Sequence, residues 1–62
     1  MRLTLWFYTD KAGDHRWRLT HRNGHVIGAA TEGYRRAIDA RANAQLVTRY
    51  RYRPGIKVVT GP

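Results

Sequence analysis

Leu3, Leu5 and Phe7 alternate with Thr4, Trp6 and Tyr8, and this period of two predicts a strand over residues 2 to 9 with one aliphatic and one aromatic-polar face. Asp10-Lys11-Ala12-Gly13-Asp14 has the turn chemistry to end it. Trp17 and Leu19 alternate with Arg16, Arg18 and Thr20 in a second strand, His15 to His21, and a third runs from His25 to Ala30. Asn23-Gly24 between them is a strong hairpin signal. Two registers are open. A two-residue turn sets Leu19 opposite Gly28 and Trp17 opposite Ala30, which leaves Ile27 on the arginine face. A three-residue loop with Gly24 left-handed sets Leu19 opposite Ile27 and Trp17 opposite Ala29. The second register gathers the apolar side chains on one face and is the one expected.

After Thr31-Glu32-Gly33 the period changes. Ala37, Ala40, Ala44 and Val47 recur at helical spacing with Ile38 and Leu46 beside them, while Arg35, Arg36, Asp39, Arg41, Asn43 and Arg49 fall mostly on the other side. The spacing predicts one amphipathic helix from about Arg36 to Tyr50, whose alanines allow close approach to the sheet. Pro54-Gly55 stops any helix, and Ile56 to Thr60 has strand composition. Its partner is not fixed by the pattern: an edge strand of this sheet or one of another subunit would serve. The expected fold is α+β, a three-stranded antiparallel sheet with one helix on one face (β-β-β-α) and an extra C-terminal strand available. Residues 1–50 form the unit and residues 51–62 a C-terminal extension.

A chain of 62 residues buries only about 60% of its unfolded surface, so a homodimer is expected to supplement the small core. It has no cysteine, which excludes disulfides and thiolate metal sites. The apolar run Leu3 to Tyr8 is too short for a signal peptide or spanning helix, and the reading is a soluble cytoplasmic protein without a membrane role. Twelve Lys and Arg against four Asp and Glu give a net charge of +8, which makes nucleic acid the first expected partner and an anionic membrane the second. The predicted helix has no strong aromatic or leucine-rich face to insert into lipid, and an acidic protein partner belongs to the alternative reading below. Most of the basic residues are arginine, consistent both with bidentate phosphate or guanine recognition and with a GC-rich genome.

If the first two strands pair, the face away from the helix carries Arg2, Thr4, Trp6 and Tyr8 beside Arg16, Arg18 and Thr20. Trp6, Tyr8, Arg16 and Arg18 are the candidate nucleic-acid-binding residues. Aromatics interleaved with arginines can stack bases and neutralise phosphate, and a three-stranded sheet can also enter a major groove. The same residue types mark protein interfaces, so an adaptor or regulator with this face buried in a partner is the alternative. Arg49, Arg51 and Arg53 are auxiliary phosphate contacts, or else cations that complement a helix end. His15, His21 and His25 lack the further ligands a zinc site needs, so neither metal nor cofactor is expected. With no serine or cysteine and no paired nucleophile and base, the chain is read as a non-enzyme.

Tyr8-x-Asp10, Gly13, Trp17-Arg18-Leu19, Asn23-Gly24, Ile27 and Glu32-Gly33-Tyr34, in this order and spacing, resemble the YegP-like family of small bacterial and archaeal proteins. The likeness runs from about Leu5 to Val47. It implies a β-β-β-α unit that family members often carry twice in tandem, so a single copy implies a homodimer that imitates the tandem pair. Gly28-Ala29-Ala30 departs from the alanine and serine usual after the family isoleucine, and the tail beyond Tyr50 is peculiar to this chain. The family supplies no established activity to carry over. A looser similarity, at the level of fold alone, is to plant and integrase N-terminal domains that lay a three-stranded sheet in DNA.

Overall fold

A computed structural model describes residues 2–61. Its elements are β1 (Leu3–Thr9), β2 (His15–His21), β3 (Val26–Ala29), α1 (Ala37–Thr48), a 3-10 turn (Tyr50–Tyr52) and β4 (Ile56–Thr60). The strands form one sheet in the order β3-β2-β1-β4, antiparallel except that β4 runs parallel to β1. The C-terminal strand therefore pairs within its own chain, with Leu3 beside Ile56 and Phe7 beside Thr60. This makes the sheet four-stranded and mixed. The expected helix is also shortened at both ends.

The β1 and β2 register sets Leu5 opposite Leu19 and Phe7 opposite Trp17, so the aliphatic face of β1 and the apolar face of β2 coincide. Leu5, Phe7, Trp17 and Ala44 form the buried cluster, and Leu19, Ala30, Tyr50 and Ile56 pack against it. The β2–β3 hairpin combines both registers. At its end His21 N–H donates to the His25 carbonyl, and Gly24 has a φ of 92°, as the three-residue loop requires. A β-bulge beyond Thr20 and Val26 then shifts the pairing, so that Leu19 lies opposite Gly28 and not Ile27. Likewise Ala30, not Ala29, donates to the Trp17 carbonyl. The extra residue keeps Ile27 with the apolar side chains: it lines a cleft of about 280 Å³ with Leu19, Gly28 and Val47.

The helix rests on a narrower stripe than its sequence suggests. Ala40, Ala44 and Thr48 are buried, whereas Ile38, Leu46 and Val47 are exposed. Small residues at i, i+4 and i+8 bring the helix axis close to the sheet, and the larger neighbours then lie outside the contact. Asn43, expected on the polar side, turns toward the sheet, where its Oδ1 accepts the Trp17 indole N–H at 2.8 Å. A buried indole needs such an acceptor. The Thr48 hydroxyl donates to the Ala44 carbonyl, so burial leaves it satisfied. No helix among the described residues is long and apolar enough to cross a membrane.

Candidate nucleic-acid interface

The alternation of β1 and β2 sends Trp6, Tyr8, Arg16 and Arg18 to the sheet face away from α1. Trp6 lies opposite Arg18, Tyr8 opposite Arg16 and Thr4 opposite Thr20. From β4, Lys57 lies beside Thr4 and Val59 beside Trp6, and from β3 Ala29 lies beside Arg18. The four proposed sheet residues are thus brought together on the central strands. Lys57 and Val59 belong to the same face, and because only the β1–β4 pairing places them there, strand alternation alone does not reveal them.

Their chemical states differ. The Trp6 indole N–H donates to Thr20 Oγ1 at 3.0 Å, and the Thr20 hydroxyl reaches the Thr4 carbonyl at 3.4 Å. The indole is therefore oriented by the sheet and its donor is occupied. The Arg18 guanidinium carbon lies 5.8 Å from the Trp6 ring centroid and 5.4 Å from that of Tyr8. Contact with two rings holds an exposed cation near the centre of the face, each contact contributing about 0.5–1 kcal/mol. Its N–H groups remain available for an anion.

Arg16 is different. Its Nε–H donates to Asp10 Oδ2 at 2.7 Å, and Asp10 Oδ1 accepts the backbone N–H groups of Ala12 and Asp14. Asp10 both caps the β1–β2 turn and neutralises the neighbouring arginine. The side-chain hydrogen bond from Arg16, followed by the Asp14 N–H, holds the Asp10 carboxyl below its ordinary value of 3.8. A lowered folded-state value means that the stabilising contribution is complete above the unfolded value, about 3.9, and is lost as pH falls through the folded value. Melting temperature followed from about pH 7 down to pH 2 should show a smaller acid-induced fall for Asp10→Asn than for the parent. Identical pH dependences would show that the turn carboxylate is not linked to folding.

The second basic cluster belongs to the helix layer. Tyr50 packs edge-on against Phe7, with ring centroids 6.0 Å apart, and Arg51 lies over Tyr50. The Arg53 Nε–H donates to the Thr48 carbonyl at 2.8 Å, so this cation caps the C-terminus of α1. Arg49 stands just past the helix with a φ of 57°. These three arginines therefore do not join the Trp6–Arg18 face. At the hairpin end the His21 Nδ1 accepts the Asn23 N–H, and the described residues contain no group of three or more potential metal-ligating side chains.

One structural residue in the sequence motif has a specific reason. His15 and Tyr34 exchange two backbone hydrogen bonds, 2.6 and 2.9 Å long, which press the Glu32-Gly33-Tyr34 segment against the β1–β2 turn. A Cβ on Gly33 would lie 2.5 Å from Asp14 Cβ. Only glycine fits that approach.

Residues 10–50 match the family described as "Domain of unknown function (DUF1508)". No curated protein matches the chain. Among solved structures, the chain is similar to one described as the "NMR solution structure of the protein from Haloferax volcanii", with 31% identity and a TM-score of 0.73 over 77% of this chain and 80% of that one. The matched segment holds the Asn23-Gly24 hairpin, the Gly33 contact and the helix, and the chain belongs to the DUF1508 family of YegP-like small proteins.

Proposed function

We propose that the protein is a non-enzymatic, cytoplasmic nucleic-acid-binding module whose working surface is the sheet face bearing Trp6, Tyr8 and Arg18. The observation that carries this reading is Arg18, an exposed guanidinium held over two aromatic rings on a bare sheet face. The net charge of +8 supplies long-range attraction to a polyanion. Arg16 contributes less than its position suggests because Asp10 already pairs with it. Arg49, Arg51 and Arg53 serve as a separate, auxiliary basic surface.

Labelled duplex DNA, single-stranded DNA and RNA titrated across a salt series test the proposal. The expected result is submicromolar binding near physiological salt, with affinity falling by about 0.7–0.9 log units per log unit of salt for each phosphate neutralised. Arg18→Ala should weaken binding and reduce that slope by about 1, with a smaller effect for Arg16→Ala. Loss of all binding at moderate salt, or an Arg16→Ala, Arg18→Ala double variant that binds as the parent does, would overturn the reading.

A second reading has its own observation. Val26, opposite Thr20 on the same side of the sheet, is 58% exposed, and with Trp6, Tyr8 and Val59 it extends an apolar area suited to a homodimer or an acidic protein partner. A sealed dimer would shield Trp6 from a soluble quencher before any ligand is added. Trp17 is buried in either case, so Trp6→Phe assigns the signal.

A further inference from the structure

Resting on the nucleic-acid reading, we propose that this face takes a single strand in preference to a duplex, with Trp6 and Tyr8 each stacking one base and Arg18 holding the intervening phosphate. Three observations support the choice of strand.

The first is spacing. Trp6 and Tyr8 lie two residues apart on one strand and point the same way, which separates their attachment points by about 6.8 Å. Bases stacked in a duplex repeat every 3.4 Å or so along each strand. Two neighbouring bases can occupy both rings only after they are spread to about twice that distance, as a single strand permits.

The second is width. Four strands at about 4.8 Å span roughly 14 Å between the outer backbones, before side chains are added. A major groove is about 12 Å wide and admits a helix or a two-stranded ribbon. Trp6 lies on β1, an inner strand, with Val59 of β4 on one side and Arg18 of β2 and Ala29 of β3 on the other. The flanking strands would meet the groove walls before the Trp6 ring reached a base edge. A flat single strand laid across the sheet meets no such obstacle.

The third is the chemistry of the rings. The Trp6 N–H is already bonded to Thr20 Oγ1, so this indole offers an incoming base its π-face and not a hydrogen bond. Stacking of that kind is tolerant of sequence. Arg18 lies over both rings, carries no carboxylate partner among the described residues and is exposed. Two stacking bases would take the positions the guanidinium now holds over the rings, and Arg18, opposite Trp6 in the register, would then be within reach of the phosphate that links them.

The test uses the full chain with a dT homopolymer of about 12 nucleotides, a U homopolymer of the same length and a duplex of that length, at near-physiological salt. Trp6 fluorescence reports contact, and Trp6→Phe provides the blank because Trp17 is sequestered. Expected are quenching of Trp6 and at least about tenfold tighter binding of one single strand than of duplex. Trp6→Leu should lose about tenfold in affinity, while Trp6→Phe stays within a few-fold of the parent. If Trp6→Leu fails to fold, Tyr8→Leu and quenching in the parent give the same decision. Duplex binding as tight as single-strand binding, or single-strand binding without Trp6 quenching, overturns this inference and leaves the nucleic-acid reading standing. Binding of none of the three overturns both.

Discussion

Trp17→Ala should leave the protein largely unfolded at ordinary temperature. The side chain is 1% exposed, and it is the largest of the fully buried residues. Truncating a buried tryptophan costs about 3–5 kcal/mol. A domain of this length has only about 3–9 kcal/mol in total at the usual stability per residue. Burial is one part of the loss. The indole N–H also satisfies Asn43 Oδ1, so the variant leaves a polar group on the helix facing a cavity. Urea denaturation followed by far-ultraviolet circular dichroism checks the expectation, with Trp17→Phe as the milder comparison that removes the hydrogen bond and keeps most of the volume. A cooperative Trp17→Ala transition within about 1 kcal/mol of the parent would show that the sheet and helix are held together elsewhere.

Gly33→Ala should destabilise by about 1–3 kcal/mol although it adds one methyl group at a partly exposed position. The new Cβ would meet Asp14 Cβ at 2.5 Å, and neither segment can yield easily. Gly33 adjoins Tyr34 and Asp14 adjoins His15, the two residues locked by paired backbone hydrogen bonds. For a domain of this size the melting temperature should fall by about 4–8 °C per kcal/mol. The second variant Asp14→Gly removes the opposing atom, so the double variant should recover part of the loss despite the flexibility that a new glycine adds. A neutral single variant, or additive losses in the double, would show that the close approach is not what requires glycine here.

Much of this architecture is legible along the chain because burial on one side imposes a period. The aliphatic alternation Leu3, Leu5, Phe7 and the Trp17, Leu19 pair set the β1–β2 pairing, and Gly24 marks the loop. The bulge at Ile27 is not legible in that way. Both simple registers satisfy the turn, and the chain adopts one at the loop and the other along the strand, which sets Gly28 against Trp17 and Leu19. The partner of β4 is equally hidden, since strand composition says nothing of a parallel neighbour so distant in sequence. Ile38, Leu46 and Val47 look like core residues by type, yet the depth of contact is set by Ala40 and Ala44. Asn43 had an available signal: a tryptophan destined for the core needs an acceptor, and asparagine on the facing helix is one.

The candidate site divides along the same line. Which side chains share the outer face follows from alternation alone, and Trp6, Tyr8, Arg16 and Arg18 are found together there. Which of the arginines is free depends on turn geometry. Asp10 reaches Arg16 because it caps the loop joining the two strands, and Arg18, two residues further on, has the two rings instead.

The parallel pairing of β1 with β4 also bears on how the molecule assembles. β2, β3 and α1 all lie between these two strands in the chain, so the ladder that seals β1 is the longest-range contact in the sheet. Local hairpins can form early, but this pairing has to close nearly the whole chain into a loop, which slows folding relative to a helical domain of similar size. During synthesis β1 emerges first and keeps one edge unsatisfied until β4 follows. For that interval a strand reading Leu-Thr-Leu-Trp-Phe-Tyr-Thr presents open backbone groups to any neighbouring chain. Pairing with β4 covers that edge and leaves the shorter, lysine-bearing strand Ile56–Thr60 at the border of the sheet in its place.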